Sequence, residues 1–234
     1  MISKFTFTDH SDLSGQHALF SPSQSSWLRY DDTKIAQRVL SQYRAPLGTE
    51  IHEYAAFKID SRHKVLNVKN VREGIEEYIA MKYKFTSPNL AVSSYGTKLI
   101  EHVCQLPKEV FEVVRLYIKD GVDCKMTTEQ PLVYSDKIFG TADTISFRNN
   151  VLRIHDLKTG ALKADMEQLA TYAALFCLEY GPKYGFKPGD IEYELALYQW
   201  DEITVDNPTV EDILPIINRI IQIDKVANKY DKEE

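Results

Sequence analysis

The sequence predicts an α/β fold, a mixed central sheet flanked by helices with a mainly helical elaboration at the N-terminal side. Three observations predict it. Between about residues 122 and 200, apolar residues recur at every second position over short runs, as in strands half-buried in a sheet. On either side they recur three and four positions apart, as on one face of a helix. Within the strand-rich span the order is three strands, a helix and a strand, the sequence of elements that joins a hairpin to a crossover. The chain has 234 residues, 44% of them hydrophobic, enough to fill one domain core without covalent staples. No repeat or Gly/Pro/Ser-rich linker divides it, so one domain over 1–234 is expected: a mainly helical part to about 121, a core over about 122–200, and a closing helix and tail over 208–234.

Taken in order, Phe5 and Phe7 alternate and suggest a short edge strand. Ser21-Pro22-Ser23 reads as a helix start, with proline tolerated in the first turn. Trp27, Leu28, Ile35, Val39 and Leu40 form the apolar face of this helix, and Pro46 is expected to interrupt it. Gly48-Thr49 reads as a restart, with Thr49 as N-cap and Glu50 and Glu53 near the positive end of the dipole. After a polar link over 61–70, Val71, Ile75, Tyr78 and Ile79 mark a helix to Tyr83. Ser87-Pro88-Asn89 marks a turn, and Leu90 to Val103 fits strand and helix equally. Pro107 to Lys119 reads as a helix ended by Gly121.

The strand-rich part begins with Cys124 to Tyr134, where Pro131 argues for an edge or a bulge. Thr141 to Phe147 and Val151 to Leu157 flank Arg148-Asn149-Asn150 and read as a β-hairpin. Ala164 to Tyr180 is a helix with Leu169, Tyr172, Ala173, Phe176 and Cys177 inward, stopped by Gly181-Pro182. Ile191 to Trp200 alternates as a strand, Val210 to Val226 closes as a helix, and the tail from Asn228 is expected to fray.

Composition narrows the function. Cys104, Cys124 and Cys177 are three, widely spaced and without CxxC or Cys/His ligand spacing, which points to reduced thiols and away from disulfide frameworks and iron-sulfur clusters. A formal charge of −6 argues against a chain that coats nucleic acid non-specifically. It leaves room for an enzyme that handles DNA in a local groove, because metal-binding carboxylates add to the negative balance. No apolar run approaches the roughly 20 residues of a membrane span, so a soluble, cytoplasmic protein without membrane partners is expected.

The chemistry concentrates in the hairpin. Asp143 sits on its first strand, and on the second the alternation puts Ile154, Asp156 and Lys158 on one face. Charges in a sheet are costly unless paired or bound to metal. Two carboxylates from adjacent strands make an oxygen site for Mg²⁺ or Mn²⁺, and a neighbouring lysine can neutralise developing charge, which together suit phosphodiester hydrolysis. A D-x-K triplet alone fits an ordinary surface ion pair just as well. On the following helix Gln168 and Tyr172, four apart, project from one face and can hydrogen-bond a phosphate backbone.

Phe139-Gly-Thr-Ala-Asp143, then His155-Asp-Leu-Lys-Thr-Gly160, then Gln168-Leu-Ala-Thr-Tyr172, with Gly48-Thr-Glu-Ile-His52-Glu53 upstream, together resemble the PD-(D/E)XK nuclease superfamily in its RecB-like branch. Ser21-Pro22-Ser23 followed by Trp27 is similar to the start of RecB-like exonucleases of phage and prophage recombination modules. The resemblance covers about residues 21–200. It implies a restriction-endonuclease-like core, Asp143, Asp156 and Lys158 as catalytic residues, His52, Asp143, Asp156 and Leu157 as ligands of Mg²⁺ or Mn²⁺, and Gln168 and Tyr172 as substrate-orienting. Glu129 and Glu53 stand second to these.

The resemblance further implies a DNA nuclease, an exonuclease of phage recombination, repair or DNA processing, in a bacterial or phage-infected cell. A structure-selective or site-specific endonuclease, or a non-catalytic DNA-binding or assembly module, is the alternative. DNA is the implied partner, with a homo-oligomer or a recombination protein beside it. The chain departs from the branch in two respects: it lacks the four cysteines of its iron-sulfur members, and Tyr30-Asp31-Asp32 stands where a Cys-Pro is common. It has no P-loop. Lys163, Lys183, Lys187, Arg29, Arg38 and Arg44 are the basic residues available to line a DNA groove.

Overall fold

The computed structural model describes residues 18–85, 90–160, 165–199 and 202–231. The expected strand around Phe5 and Phe7, the turn at Ser87-Pro88-Asn89, Ala164 and Trp200 lie outside them. The chain divides into two compact units, Met1–Arg44 and Ala45–Glu234.

In the first unit a 3-10 helix, Pro22–Arg29, follows Ser21, which occupies the N-cap position without a side-chain cap bond. Trp27 Nε1 donates to the Ser21 carbonyl at 2.8 Å and stacks edge-on against Phe20. The apolar face expected over this stretch is not buried: Leu28, Ile35, Val39 and Leu40 are exposed.

Helix α1 (Asp32–Asp60) runs unbroken through Pro46. Proline removes one backbone bond and leaves the others, so the expected interruption is absent. Thr49 lies inside the helix, not at a cap, and its hydroxyl donates to the Ala45 carbonyl one turn back at 3.2 Å. Helices α2 (Val68–Phe85), α3 (Leu90–Gln105) and α4 (Lys108–Asp123) follow. The segment that fitted strand and helix equally is therefore helical. Gly121 does not end α4 but lies within it, and a Cβ there would stand 2.7 Å from Ile59 Cδ1, which marks where α4 crosses α1 closely.

The sheet has five strands in the order β1 (Thr127–Val133), β2 (Phe139–Arg148), β3 (Val151–Lys158), β4 (Glu192–Gln199), β5 (Glu202–Asp206). Strand β1 pairs antiparallel with β2, β2 with β3 and β4 with β5, while β3 and β4 run parallel, so the sheet is mixed. Pro131, which cannot donate to a ladder, falls on the edge strand β1 as its chemistry requires. The β2–β3 hairpin turns on Asn149 and Asn150, both left-handed at φ 53° and 60°. That is the two-residue turn whose twist matches the strands, and asparagine adopts it readily. Strand β5 had no counterpart in the alternation pattern.

Helix α5 (Glu167–Tyr184) connects β3 to β4 and, with α6 (Val210–Tyr230), covers one face of the sheet. Leu132, Leu152, Ile154, Leu169, Ala173, Leu195 and Ile213 form its fully buried centre. Each large aliphatic side chain removed from water contributes about 1.5–3 kcal/mol. Gly181-Pro182 does not stop α5, which runs one turn further to a left-handed Gly185 whose N–H bonds the Gly181 carbonyl at 2.8 Å. Helix α6 extends to Tyr230, past the expected fraying point. On the other face, Tyr117 of α4 packs edge-on against Tyr198 of β4, ring centroids 5.2 Å apart. Among the described residues no helix is long and apolar enough to cross a membrane.

Candidate active site

Two glycines bring the motif segments into contact. A Cβ on Gly48 of α1 would stand 2.7 Å from Thr159 Oγ1, so the helix backbone touches the chain just after Lys158. One turn beyond Gly48, on the same helix face, His52 Nδ1 lies 3.2 Å from Asp143 Oδ2 of β2. A Cβ on Gly140 would stand 2.9 Å from Tyr172 Cε1, so the start of β2 lies directly under α5. A larger residue at Gly48 would displace the Thr159 side chain, and one at Gly140 the Tyr172 ring.

Between these contacts the polar groups form two short lines, one from His52 through Asp143 to the Leu157 N–H and one from Asp156 through Lys158 and Gln168 to Tyr172. The Leu157 N–H donates to Asp143 Oδ2 at 3.4 Å. Lys158 Nζ donates to Asp156 Oδ1 at 3.0 Å and to Gln168 Oε1 at 3.1 Å, and Gln168 Nε2 donates to the Tyr172 hydroxyl at 3.2 Å. Asp156 is 2% exposed. Its Oδ2 is also 3.0 Å from Lys158 Nζ, as an ion pair without hydrogen-bond geometry, and has no hydrogen-bond partner among the described residues.

The electrostatics are those of crowded acids. Burial first, and then the charge of Asp143, push the Asp156 carboxyl up to about 6 against the opposing pull of Lys158. Burial alone would lower His52. The hydrogen bond and charge of Asp143 reverse this, with Asp156 adding to them, and hold the imidazole above its ordinary value. The β1–β2 register, with Thr128 opposite Thr144 and Gln130 opposite Ala142, sets Glu129 opposite Asp143. Burial, followed by the Asp143 charge, raises the Glu129 carboxyl. Its backbone is left-handed at φ 48°, a strained conformation for glutamate in a strand.

The structure thus brings together His52, Asp143, Asp156, Leu157, Lys158, Gln168 and Tyr172, with Glu129 beside them. Leu157 contributes through its backbone, since its side chain is buried in the core. Glu53 is not part of the group. Its carboxylate accepts from Lys82 Nζ at 2.6 Å and from the Tyr78 hydroxyl at 3.1 Å, both on α2. Consecutive helix residues project about 100° apart, so His52 and Glu53 cannot both face the sheet. Buried Glu50 joins the same cluster, accepting from Lys82 at 3.0 Å and from Tyr83 at 2.8 Å.

Tyr117 was missed as a site neighbour. Burial, with the Asp143 charge second, holds its hydroxyl well above the ordinary tyrosine range. The signal for it was a tyrosine on an otherwise aliphatic face of α4. Of the basic residues, Lys183 lies over the rings of Tyr180 and Tyr184 at the far end of α5 from Gln168, about 22 Å along the helix. Lys187 is at the neighbouring loop, and Lys163 lies outside the described residues.

The donor set fits a hard divalent cation. It offers carboxylate oxygens and one imidazole, and it contains a buried carboxylate oxygen without a hydrogen bond. Among the described residues no three His, Cys, Asp or Glu side chains converge as a ready-made cage. They are closed on partners instead, His52 on Asp143 and Asp156 on Lys158.

Residues 17–185 match the family described as "Protein of unknown function (DUF2800)", and the chain belongs to that family. The match contains every residue of the group, from His52 to Tyr172. No solved structure matches the chain.

Proposed function

We propose that this DUF2800 protein is a Mg²⁺- or Mn²⁺-dependent DNA nuclease with a restriction-endonuclease-like core, and that it acts as an exonuclease in phage recombination, repair or DNA processing. The observation that carries this reading is the meeting of His52 of α1, Asp143 of β2, Asp156 and Lys158 of β3, and Gln168 and Tyr172 of α5. Three carboxylate- or imidazole-bearing residues, a lysine and two neutral hydrogen-bonding groups are the parts that metal-assisted phosphodiester hydrolysis needs.

His52, Asp143, Asp156 and the Leu157 backbone would hold the ion. When bound, it supplies Lewis-acid polarisation of a phosphoryl oxygen and makes a water acidic enough to attack near neutral pH. Lys158 places a cation where negative charge grows on the phosphorus oxygens, and Asp156 and Gln168 fix its ammonium from two sides. Gln168 and Tyr172 present an amide and a hydroxyl to the phosphate backbone and orient it against Lys158. Asp156 is 2% exposed, and its burial strengthens its ion pair with Lys158, while Gln168 stays open to solvent where a phosphate backbone can reach it.

Incubation of linear and covalently closed circular DNA with Mg²⁺ or Mn²⁺ tests the reading. Linear DNA is expected to be degraded and the closed circle to survive. Cleavage of the circle would make the protein an endonuclease on the same residues. Metal-independent binding without hydrolysis of either would make it a non-catalytic module.

A further inference from the structure

A second site lies at the opposite end of β3. Asp123, Cys124, Lys125, Arg148, Asn149 and Arg153 line a cleft of about 610 Å³ where the end of α4 meets the β2–β3 turn. That volume lies in the range of pockets that hold small-molecule ligands, roughly 300–1,000 Å³. Arg153 is five residues from Lys158, about 17 Å along the strand, and points to the other face. The cleft is therefore separate from the candidate active site.

Its charge is anomalous for a chain of net charge −6. Asp123 is already paired with Lys64 and, at 3.3 Å, with Lys119. Arg153 is neutralised by Glu194, its Nε donating to Oε1 at 3.0 Å. Lys125 and Arg148 have no acidic partner among the described residues. Two full positive charges thus stand against the carboxyl-terminal pole of α4, which amounts to about half a negative charge. Arg153 keeps its remaining N–H groups for a ligand, because Glu194 takes the Nε. Lys125 and Asn149 hold left-handed backbones, at φ 52° and 53°, which set both residues at the rim of two tight turns. A concave space with an uncompensated guanidinium and an uncompensated ammonium group attracts anions over neutral solutes, and a multiply charged oxyanion such as phosphate can satisfy both charges at once.

We propose that this cleft binds a phosphate group, recognised by Lys125, Arg148 and Arg153. The same chemistry is carried by a free nucleotide and by the backbone of a nucleic acid strand, and the experiment separates these sources. Affinity for deoxyadenosine 5′-monophosphate and for a single-stranded DNA oligonucleotide is measured by calorimetry in EDTA, so that metal chemistry plays no part. Wild type is compared with Lys125→Asn/Arg148→Ala, asparagine being chosen because it tolerates the left-handed backbone. The charge-conserving pair Lys125→Arg/Arg148→Lys controls for folding.

At least a tenfold loss for the nucleotide in the first variant, with binding kept in the second, assigns the cleft to free nucleotides. The same loss confined to the oligonucleotide assigns it to a nucleic acid backbone. Affinities for both probes within twofold of wild type in the first variant, or no binding of either probe by wild type, overturn the proposal. None of these outcomes depends on whether the protein hydrolyses DNA.

Discussion

His52 Nδ1 lies 3.2 Å from Asp143 Oδ2, and this contact joins the helical part of the chain to the hairpin. Without it, the hairpin would retain two acids and a lysine but no imidazole beside them. His52→Ala is expected to weaken Mn²⁺ binding about 100-fold, since a direct ligand is worth at least as much as the outer partners of a metal site. Calorimetric Mn²⁺ titration checks this. The fold should persist, because His52 is only partly buried.

Gln168 holds Lys158 from one side and Tyr172 from the other, at 3.1 and 3.2 Å. Gln168→Ala leaves Lys158 with Asp156 alone among the described residues, and hydrolysis of linear DNA is expected to fall about tenfold in kcat with a smaller change in KM. Steady-state kinetics on a labelled oligonucleotide separate the two. A rise in KM alone would make Gln168 a binding residue only.

The Asp156 carboxyl, raised to about 6 by burial and by the charge of Asp143, sets a pH dependence. Between the unfolded value near 4 and about 6, the folded chain binds more protons than the unfolded chain, so stability of the metal-free protein falls as pH rises through that window. The raised His52 acts in the same direction, its stabilisation being lost as pH rises through its folded pKa. The Asp156 contribution is about 3 kcal/mol at most. Melting in EDTA at pH 4.5 and 7.5 should show the higher Tm at the lower pH, and Asp156→Asn should reduce the difference. Under the proposed function, Mn²⁺ affinity is expected to drop below about pH 6, where protons compete for the carboxylate.

Lys82 joins Glu50 and Glu53 of α1 to α2, and Glu50 is 2% exposed. Lys82→Met strands a buried carboxylate that, among the described residues, keeps the Tyr83 hydroxyl as its one side-chain donor, and a loss of about 2 kcal/mol is expected in urea unfolding. Lys82→Arg should recover most of it.

Much of the fold and of the candidate site was legible in the sequence, for physical reasons that also mark where legibility stopped. The hairpin could be placed because Asn149 and Asn150 suit a left-handed turn between alternating runs. Asp143, Asp156 and Lys158 could be grouped because the strand period puts them on definable faces of one hairpin, while His52, Gln168 and Tyr172 were joined to them by the resemblance to an ordered set of nuclease motifs. Strand β5 escaped because its five residues are all exposed and show no inward face. Pro46, Gly121 and Pro182 misled as breakers: a long helix packed on its neighbours loses one hydrogen bond to proline and keeps the rest, and a glycine against Ile59 serves close packing. Glu53 misled because a motif adjacent in sequence is divided by the helix into two faces, one on the sheet and one on Lys82. The left-handed backbone of Glu129 has no sequence signature, since it depends on the strands around it.

The most direct measurement is digestion of end-labelled single- and double-stranded DNA in Mn²⁺ by wild type and by Asp143→Asn, which keeps the side chain's shape and removes its charge. Wild type is expected to release label, and the variant to do so at least about 100-fold more slowly while retaining the wild-type Tm to within a few degrees. Intact DNA after incubation with wild type, or equal rates for the two proteins, would contradict the account.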